Sequence, residues 1–213
     1  QFWAGREPDL EGQALGPIQA EVEMNMTLEQ AIGRLNEFEV YRTAFSAAFP
    51  GDPDPVNPPN VALALAAFER TLNTPNSPFD RFLMGDDMAM TVQQQNGMRL
   101  FVDNGCVACH SGPNLSDSNF HRFELPGSTD EGRFLVTGDE FDRFAFRTPT
   151  LRNVALTYPY FNNGSVSDLR DAVNLMGQQM LGHDFQPEEL DDLVAFLDTL
   201  TGEMPHVEVP VLP

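Results

Sequence analysis

The sequence predicts a mainly α-helical fold, and three observations lead to this prediction. Several segments repeat apolar residues at the helical period, no alternating strand pattern dominates, and glycine or proline punctuates the connections. The chain has 213 residues, of which 41% are hydrophobic, so it can form one domain with a sizeable core or two small ones. We find no internal repeat in the sequence.

The first half of the chain is predicted to hold two helices. Residues 1–26 are polar and are expected to be irregular. An amphipathic helix is predicted over Thr27–Phe49, with Thr27 as its N-cap. Prolines mark a loop at 50–59, the alanine- and leucine-rich run at 61–73 predicts a second helix, and a short turn follows at 78–83.

The second half is predicted to hold three helices around a long loop region. Thr91 is expected to open a helix that stops at Gly105. Residues 111–147 show little periodicity, and a loop of that length is usually functional or covers something. Further helices are expected at about 166–180 and 187–201, the last with Gly202 as C-cap.

The charge of the chain excludes some partners. It carries 32 acidic against 12 basic residues, for a formal net charge of −20. Such a surface repels nucleic acid and anionic lipid and attracts basic proteins. No apolar run reaches the ~18 residues that a membrane span requires.

The chemistry-bearing motif is Cys106-Val-Ala-Cys109-His110, which holds both cysteines of the chain. Two thiols at this spacing, followed by histidine, are typical of covalent haem c attachment rather than of a disulfide or a thioredoxin-like site. We therefore expect one covalent haem c, with His110 as an iron ligand. The sixth iron position stays open at this point; the candidates are nine methionines and three histidines, His121, His183 and His206.

Short stretches along nearly the whole chain match the motifs of one family, in that family's order. They include Phe2-Trp-Ala-Gly-Arg6, Thr148-Pro-Thr-Leu-Arg-Asn-Val154 and Leu156-Thr-Tyr-Pro-Tyr-Phe161, with further matches at 12–18, 22–24, 106–112, 132–134 and 194–202. In these stretches the chain resembles the bacterial di-haem cytochrome c peroxidase family, which also contains the MauG-like enzymes.

The resemblance implies two cytochrome c-like domains, each with its own haem. A high-potential haem in the C-terminal domain takes electrons from a small redox protein, and a low-potential haem in the N-terminal domain reacts with hydrogen peroxide. Residues 1–80 would then be the remainder of the peroxidatic-haem domain with the inter-haem segment. Residues 81–213 would be the cytochrome c-like domain that transfers electrons.

The resemblance also assigns roles to individual residues. His110 would be the proximal ligand of the high-potential haem and Met176 its distal ligand, with Met180 as the second choice. Trp3 would lie between the two haems. The peroxide pocket would hold Gln13 and Glu23, and the backbone carbonyls of Thr157 and Pro159 would bind calcium at the domain interface. Arg147 and Arg152 are expected either to pair with haem propionates or to form surface salt bridges.

The chain departs from the family pattern in two ways. The family has two haem motifs, the first upstream of the segment of Trp3, and this chain has one. We therefore expect it to be the C-terminal part of the enzyme, partnered by a polypeptide that carries the peroxidatic haem, through a nick or a split gene. Without that partner, Trp3 and the rest of residues 1–26 are expected to pack on nothing. Asn162 also replaces a histidine that many relatives carry.

The functional hypotheses are three. The first is a peroxidase part that works in the periplasm as a homodimer of the complete enzyme, with a basic cytochrome c or cupredoxin as electron donor. The second is a stand-alone monohaem carrier, which the single motif favours but which has no use for Gln13 and Glu23. The third is a MauG-like enzyme that oxidises a protein, a class that carries tyrosine at the position of Met176.

Overall fold

The structure is a computed structural model that describes residues 1–211 and 213. The predicted mainly helical fold is confirmed, with two short strands besides the helices among the described residues. The chain divides into two compact units. The N-terminal unit comprises residues 1–2, 6–73 and the tail from Pro205; the C-terminal unit comprises residues 3–5 and 74–204. The functional domain boundary near residue 80 remains a prediction, since contact units and haem domains need not coincide.

The N-terminal unit consists of four helices. They are α1 (Leu10–Gln19), α2 (Leu28–Glu37), α3 (Glu39–Ala48) and α4 (Pro58–Glu69). As expected, Thr27 caps α2, and it does so in a capping box with Gln30. The helix predicted over Thr27–Phe49 is interrupted, because Phe38 has an extended backbone between α2 and α3.

Residues 1–26 are not irregular, which corrects the sequence-based expectation. Asp9 caps α1 by accepting a hydrogen bond from the backbone of Gly12, and α1 packs against α4. The helix was missed because it lacks a strong apolar stripe and contains Pro17. Helix α1 therefore packs within the N-terminal unit.

The C-terminal unit is built around a crossing of two helices. Its helices are α5 (Pro78–Leu83), α6 (Val92–Asp103), α7 (Phe134–Thr137), α8 (Leu169–Met176) and α9 (Pro187–Asp198). Helices α6 and α9 pack on each other at Gly97, where a Cβ atom would lie 1.8 Å from the Asp192 carbonyl oxygen. The core around this crossing includes Phe101, Leu193, Phe196 and Leu200.

The long region predicted as loop contains a small β-ribbon. Strand β1 (Phe120–Arg122) pairs antiparallel with β2 (Ala145–Arg147), and His121 lies opposite Phe146. At the other end of the unit, α9 stops at Asp198 and its C-cap is Thr199 rather than Gly202. Gly202 instead allows close packing, because a Cβ atom there would lie 1.9 Å from the Thr74 carbonyl oxygen.

Two helices end in a similar short pattern, although the sequence shows no longer internal repeat. Residues 67–72, at the end of α4, read Ala-Phe-Glu-Arg-Thr-Leu, and residues 195–200, at the end of α9, read Ala-Phe-Leu-Asp-Thr-Leu. Phe196 is 1% exposed beside α6, whereas its counterpart Phe68 is 49% exposed. The surface of α9 that α6 covers in the C-terminal unit thus corresponds to an exposed surface of α4 in the N-terminal unit.

Among the described residues, no helix combines the length and the apolar character needed to cross a membrane.

Candidate haem site

The haem-attachment motif follows directly from the end of α6. Gly105 takes a left-handed conformation (φ +82°), and the residues Cys106–Ala108 then form a 3₁₀ turn. The backbone N–H of His110 donates to the Cys106 carbonyl at 2.9 Å. This turn holds both thiols and the imidazole at one end of the α6–α9 core, and neither cysteine forms a disulfide.

The ring of His110 is oriented by a backbone carbonyl. Its Nδ1 lies 3.2 Å from the carbonyl oxygen of Leu115, which leaves Nε2 for a metal. Burial lowers the pKa of His110, although the Leu115 contact opposes the shift. The imidazole is therefore neutral at physiological pH, as metal ligation requires.

The two thiols also suit covalent attachment. Burial raises the pKa of both Cys106 and Cys109, so neither is an activated thiolate. Cys106 and Val107 pack on the apolar core. Two thiols, one neutral imidazole and apolar walls are the donor set and surroundings that haem c needs, so the residues fit the group.

A polar pair lies beside the second thiol. The Nε2 of His121 is 2.7 Å from a carboxylate oxygen of Asp117, and both side chains lie close to the Cys109 sulfur. The pKa of Asp117 is lowered: burial opposes the shift, but hydrogen bonds from His121 and Asn119 outweigh it. His121 thus has a carboxylate partner at Nε2.

The structure distinguishes the environments of the two candidate methionines. Met176 ends α8 on the face of Ala172, which is buried, and Val173, which packs on the core. Met180 lies in the π-helical turn Gly177–Leu181 and is 37% exposed. Met176 remains the predicted distal ligand.

The predicted peroxide-pocket residues and Trp3 fall in different units. Gln13 is half-buried in α1, and Glu23 is exposed in the turn that follows. Trp3 belongs to the C-terminal unit, where its carbonyl accepts a hydrogen bond of 2.8 Å from the backbone of Arg147. Gly5 packs so closely on Phe120 that a Cβ atom would lie 2.3 Å from that ring. The backbone of Trp3 is thus joined to the β-ribbon, which corrects the expectation that this segment packs on nothing, while its side chain is 39% exposed.

The predicted calcium ligands lie on an exposed turn. Thr157 and Pro159 follow the 3₁₀ turn Val154–Leu156, and both are exposed. Nearby, the side-chain amide of Asn162 donates to Asp130 at 2.8 Å.

The two arginines differ in their contacts. Arg152 forms an ion pair with Asp80 at 2.7 Å, as the salt-bridge alternative expects. The guanidinium of Arg147 contacts the Ser118 hydroxyl at 3.4 Å and forms no ion pair within the described residues. Sequence reasoning missed Asp80 and Leu115; the latter acts through its backbone, which leaves no residue-type signal.

Comparison with known proteins gives two family matches. The model of the di-haem cytochrome c peroxidase family matches residues 1–88, and the cytochrome c model matches residues 94–201. The chain is 47% identical to the cytochrome c551 peroxidase of Pseudomonas aeruginosa, covering all of this chain and 64% of that protein. It is 35% identical to the methylamine utilization protein MauG of Methylophilus methylotrophus, covering all of this chain and 67% of that protein.

A solved structure shows the same fold. A MauG-like protein associated with microbial copper homeostasis superposes with a TM-score of 0.82 at 27% identity, over 94% of this chain and 73% of that one. The chain thus spans only about two thirds of the length of such relatives. From the haem motif, the helical fold and these matches, the chain belongs to the di-haem cytochrome c peroxidase and MauG family.

Proposed function

We propose that this chain is the electron-relaying part of a di-haem cytochrome c peroxidase, which reduces one H₂O₂ with two electrons and two protons to two waters. The observation that carries the proposal is the exposed surface of α4. It repeats the pattern of α9, whose counterpart residues are buried beside the helix that leads into the haem motif. A second haem-bearing helix placed on α4 would complete the N-terminal unit in the same way.

The residues of the C-terminal unit would hold a haem that does not react with peroxide itself. His110 and Met176 would hold the haem c iron, and the group would then supply one-electron storage and transfer, with the methionine ligand favouring a high potential. Cys106 and Cys109 would anchor the group covalently, and the imidazole of His110 contacts the Leu115 carbonyl. Arg147, which forms no ion pair within the described residues, is the proposed partner of a propionate.

Two residues of the N-terminal unit would bind the peroxide and transfer its proton. Glu23, exposed after α1, would carry a proton between the two peroxide oxygens, and Gln13 would position the peroxide by hydrogen bonding. Trp3 would lie on the electron path between the haems. Its attachment to β2 through the backbone of Arg147 supports this role, because it ties the indole-bearing residue to the unit that holds the haem motif.

The partners are proposed from charge and from the family. A net charge of −20 suits a basic cytochrome c or cupredoxin as electron donor, since opposite charge speeds encounter. A polypeptide with the peroxidatic haem is the second partner. We further propose a homodimer of the complete enzyme, calcium held by the carbonyls of Thr157 and Pro159, and the periplasm as the compartment.

A stand-alone monohaem carrier is the second candidate, and the single Cys-x-x-Cys-His motif favours it. A MauG-like protein oxidation is the third, and Met176 in place of a tyrosine counts against it. The two leading candidates differ in the number of haems in the working assembly.

The test counts haems and then measures turnover. Intact mass and haem staining of the purified material are expected to reveal a second, haem-bearing polypeptide. In the assembly, Glu23→Gln should lower peroxide turnover by at least about tenfold while reduction of the haem on His110 is unchanged. Glu21→Gln, at an exposed neighbouring carboxylate, is the matched control.

Two results would contradict the proposal. One is strong, Glu23-dependent peroxide turnover by this chain alone, with mass spectrometry showing no second haem peptide. The other is an assembly that carries only one haem and transfers electrons without consuming peroxide, which would make the chain a carrier.

A further inference from the structure

We propose that the segment Thr148–Arg152, called here the brace, positions the proximal histidine and thereby tunes the reduction potential of the haem. The brace does so through the loop Pro113–Ser116, called here the proximal loop, which supplies the Leu115 carbonyl to His110. The proposal concerns haem attachment alone and holds whether or not the assembled protein is a peroxidase.

Alternate residues of the brace each contact the proximal loop. Thr148 accepts a hydrogen bond at its carbonyl from the Ser116 hydroxyl at 2.7 Å. The Thr150 hydroxyl donates to the Asn114 carbonyl at 2.7 Å. The Arg152 Nε donates to the Pro113 carbonyl at 2.9 Å. The brace therefore holds the proximal loop on both sides of Leu115.

The conformation of Leu115 shows why such support is needed. Its φ is +49°, in the left-handed region that non-glycine residues seldom occupy, and its side chain is buried in the core. A residue held in such a conformation persists only where its surroundings over-determine it. The contacts of the brace with the residues on either side of Leu115 provide that constraint and so fix the direction of its carbonyl.

The brace is itself anchored through Arg152. The guanidinium Nη1 lies 2.7 Å from one carboxylate oxygen of Asp80 and 2.8 Å from the other, and the Ser77 hydroxyl lies at 3.3 Å. Ser77 is fully buried and forms the capping box of α5 with Asp80. One planar guanidinium therefore joins α5 to the Pro113 carbonyl, a double contact that a lysine ammonium cannot reproduce.

The contact at His110 determines the direction of the effect. An imidazole that donates from Nδ1 to a carbonyl is a more basic ligand, and a more basic ligand favours ferric over ferrous iron. If the brace is loosened, the Leu115 carbonyl is held less firmly and the donation weakens. The haem should then be easier to reduce, so its midpoint potential should rise.

The experiment compares potentials of the haem-loaded full chain and its variants. Arg152→Gln and Thr150→Val should each raise the midpoint potential. At the midpoint of the unaltered protein, we expect the ferrous-to-ferric ratio to increase roughly two- to fivefold, the effect of weakening one hydrogen bond. The His110 Nδ1 proton, followed by NMR, should also exchange faster with solvent.

Two further variants separate positioning from general loss of stability. Arg152→Lys keeps the charge but not the double contact and should shift the potential in the same direction. Arg170→Gln is the matched control, because Arg170 also joins a carboxylate (Asp191) and a proline carbonyl (Pro187) within the C-terminal unit. It should leave the midpoint unchanged.

Midpoints of Arg152→Gln and Thr150→Val that equal that of Arg170→Gln, or that fall, would overturn the proposal. If Arg152→Gln fails to retain haem, Thr150→Val still decides the question. It removes one exposed hydroxyl, whose two hydrogen bonds are the one to the Asn114 carbonyl and one of 3.1 Å from the Arg152 backbone within the brace. Failure here would leave the peroxidase proposal intact, because that proposal is tested by haem count and by Glu23.

Discussion

A single methyl group added at Gly97 should lower the stability of the C-terminal unit. Helices α6 and α9 approach so closely there that a Cβ atom would lie 1.8 Å from the Asp192 carbonyl oxygen and 2.9 Å from the Phe196 Cβ. To restore ordinary contact the helices must part by roughly 1.5 Å, because a backbone oxygen cannot swing aside. Overpacking of this kind costs about 1–3 kcal/mol, while alanine gains about 1 kcal/mol of helix propensity. We expect a net loss of up to about 2 kcal/mol.

Guanidinium unfolding of the haem-loaded chain tests this expectation. Gly97→Ala should lower the denaturant concentration at the unfolding midpoint, followed by Soret absorbance. Ligation by Met176 should weaken as well, since α9 covers the core next to the haem motif. Gly33→Ala is the control, because Gly33 lies in α2 with no atom within 4 Å of an added Cβ. It should be neutral or slightly stabilising. A Gly97→Ala protein at least as stable as the unaltered chain would refute the argument from close packing.

Three further predictions follow from the site. Met176→His should lower the potential and abolish a near-infrared methionine–iron band; loss of the band in Met180→Leu with its survival in Met176→Leu would reverse the ligand assignment. Asp117→Asn should destabilise the haem-loaded chain most at neutral pH. Because the folded pKa of Asp117 is lowered, its contribution is present above the ordinary carboxyl pKa and is lost as pH falls through the folded value, so melting curves of the two proteins should converge in acid. Chelation should lower the activity of the assembly if the Thr157 and Pro159 carbonyls bind calcium; full activity with no metal left by elemental analysis would exclude that site.

The sequence predicted those features that depend only on neighbouring residues, such as helix starts and the haem motif. Thr27 and Thr91 were predicted to open helices because a threonine hydroxyl can satisfy an open N–H group at a helix start. The structure adds that Gln30 and Gln94 complete a capping box at each. The haem motif was found because its residue types and spacing follow from the chemistry of attachment. The break at Phe38 was not predicted, because Phe38 is itself apolar and the helical pattern of apolar residues continues across it from α2 into α3.

Features that depend on distant contacts could not be predicted in the same way. The ion pair of Arg152 with Asp80 joins segments far apart in the chain, and the propionate alternative was equally consistent with the sequence. Leu115 contacts His110 through its backbone carbonyl, so its residue type gives no indication of that contact. Helix α1 was missed because tertiary packing on α4, rather than an apolar stripe, stabilises it.

The equivalent phenylalanines of α4 and α9 offer a final test of how the N-terminal unit is completed. Phe196 is fully buried, so Phe196→Ala should cost the chain about 3–5 kcal/mol. Phe68 is half exposed, so Phe68→Ala should change the stability of the chain alone by no more than about 0.5 kcal/mol. With the second haem-bearing polypeptide present, Phe68→Ala should become costly as well, because Phe68 would then be covered as Phe196 is. Titration of that polypeptide against the Phe68→Ala chain should therefore show weaker association. If Phe68→Ala destabilises the isolated chain as much as Phe196→Ala does, the α4 surface is already covered within the chain. In that case no second helix needs to bind there.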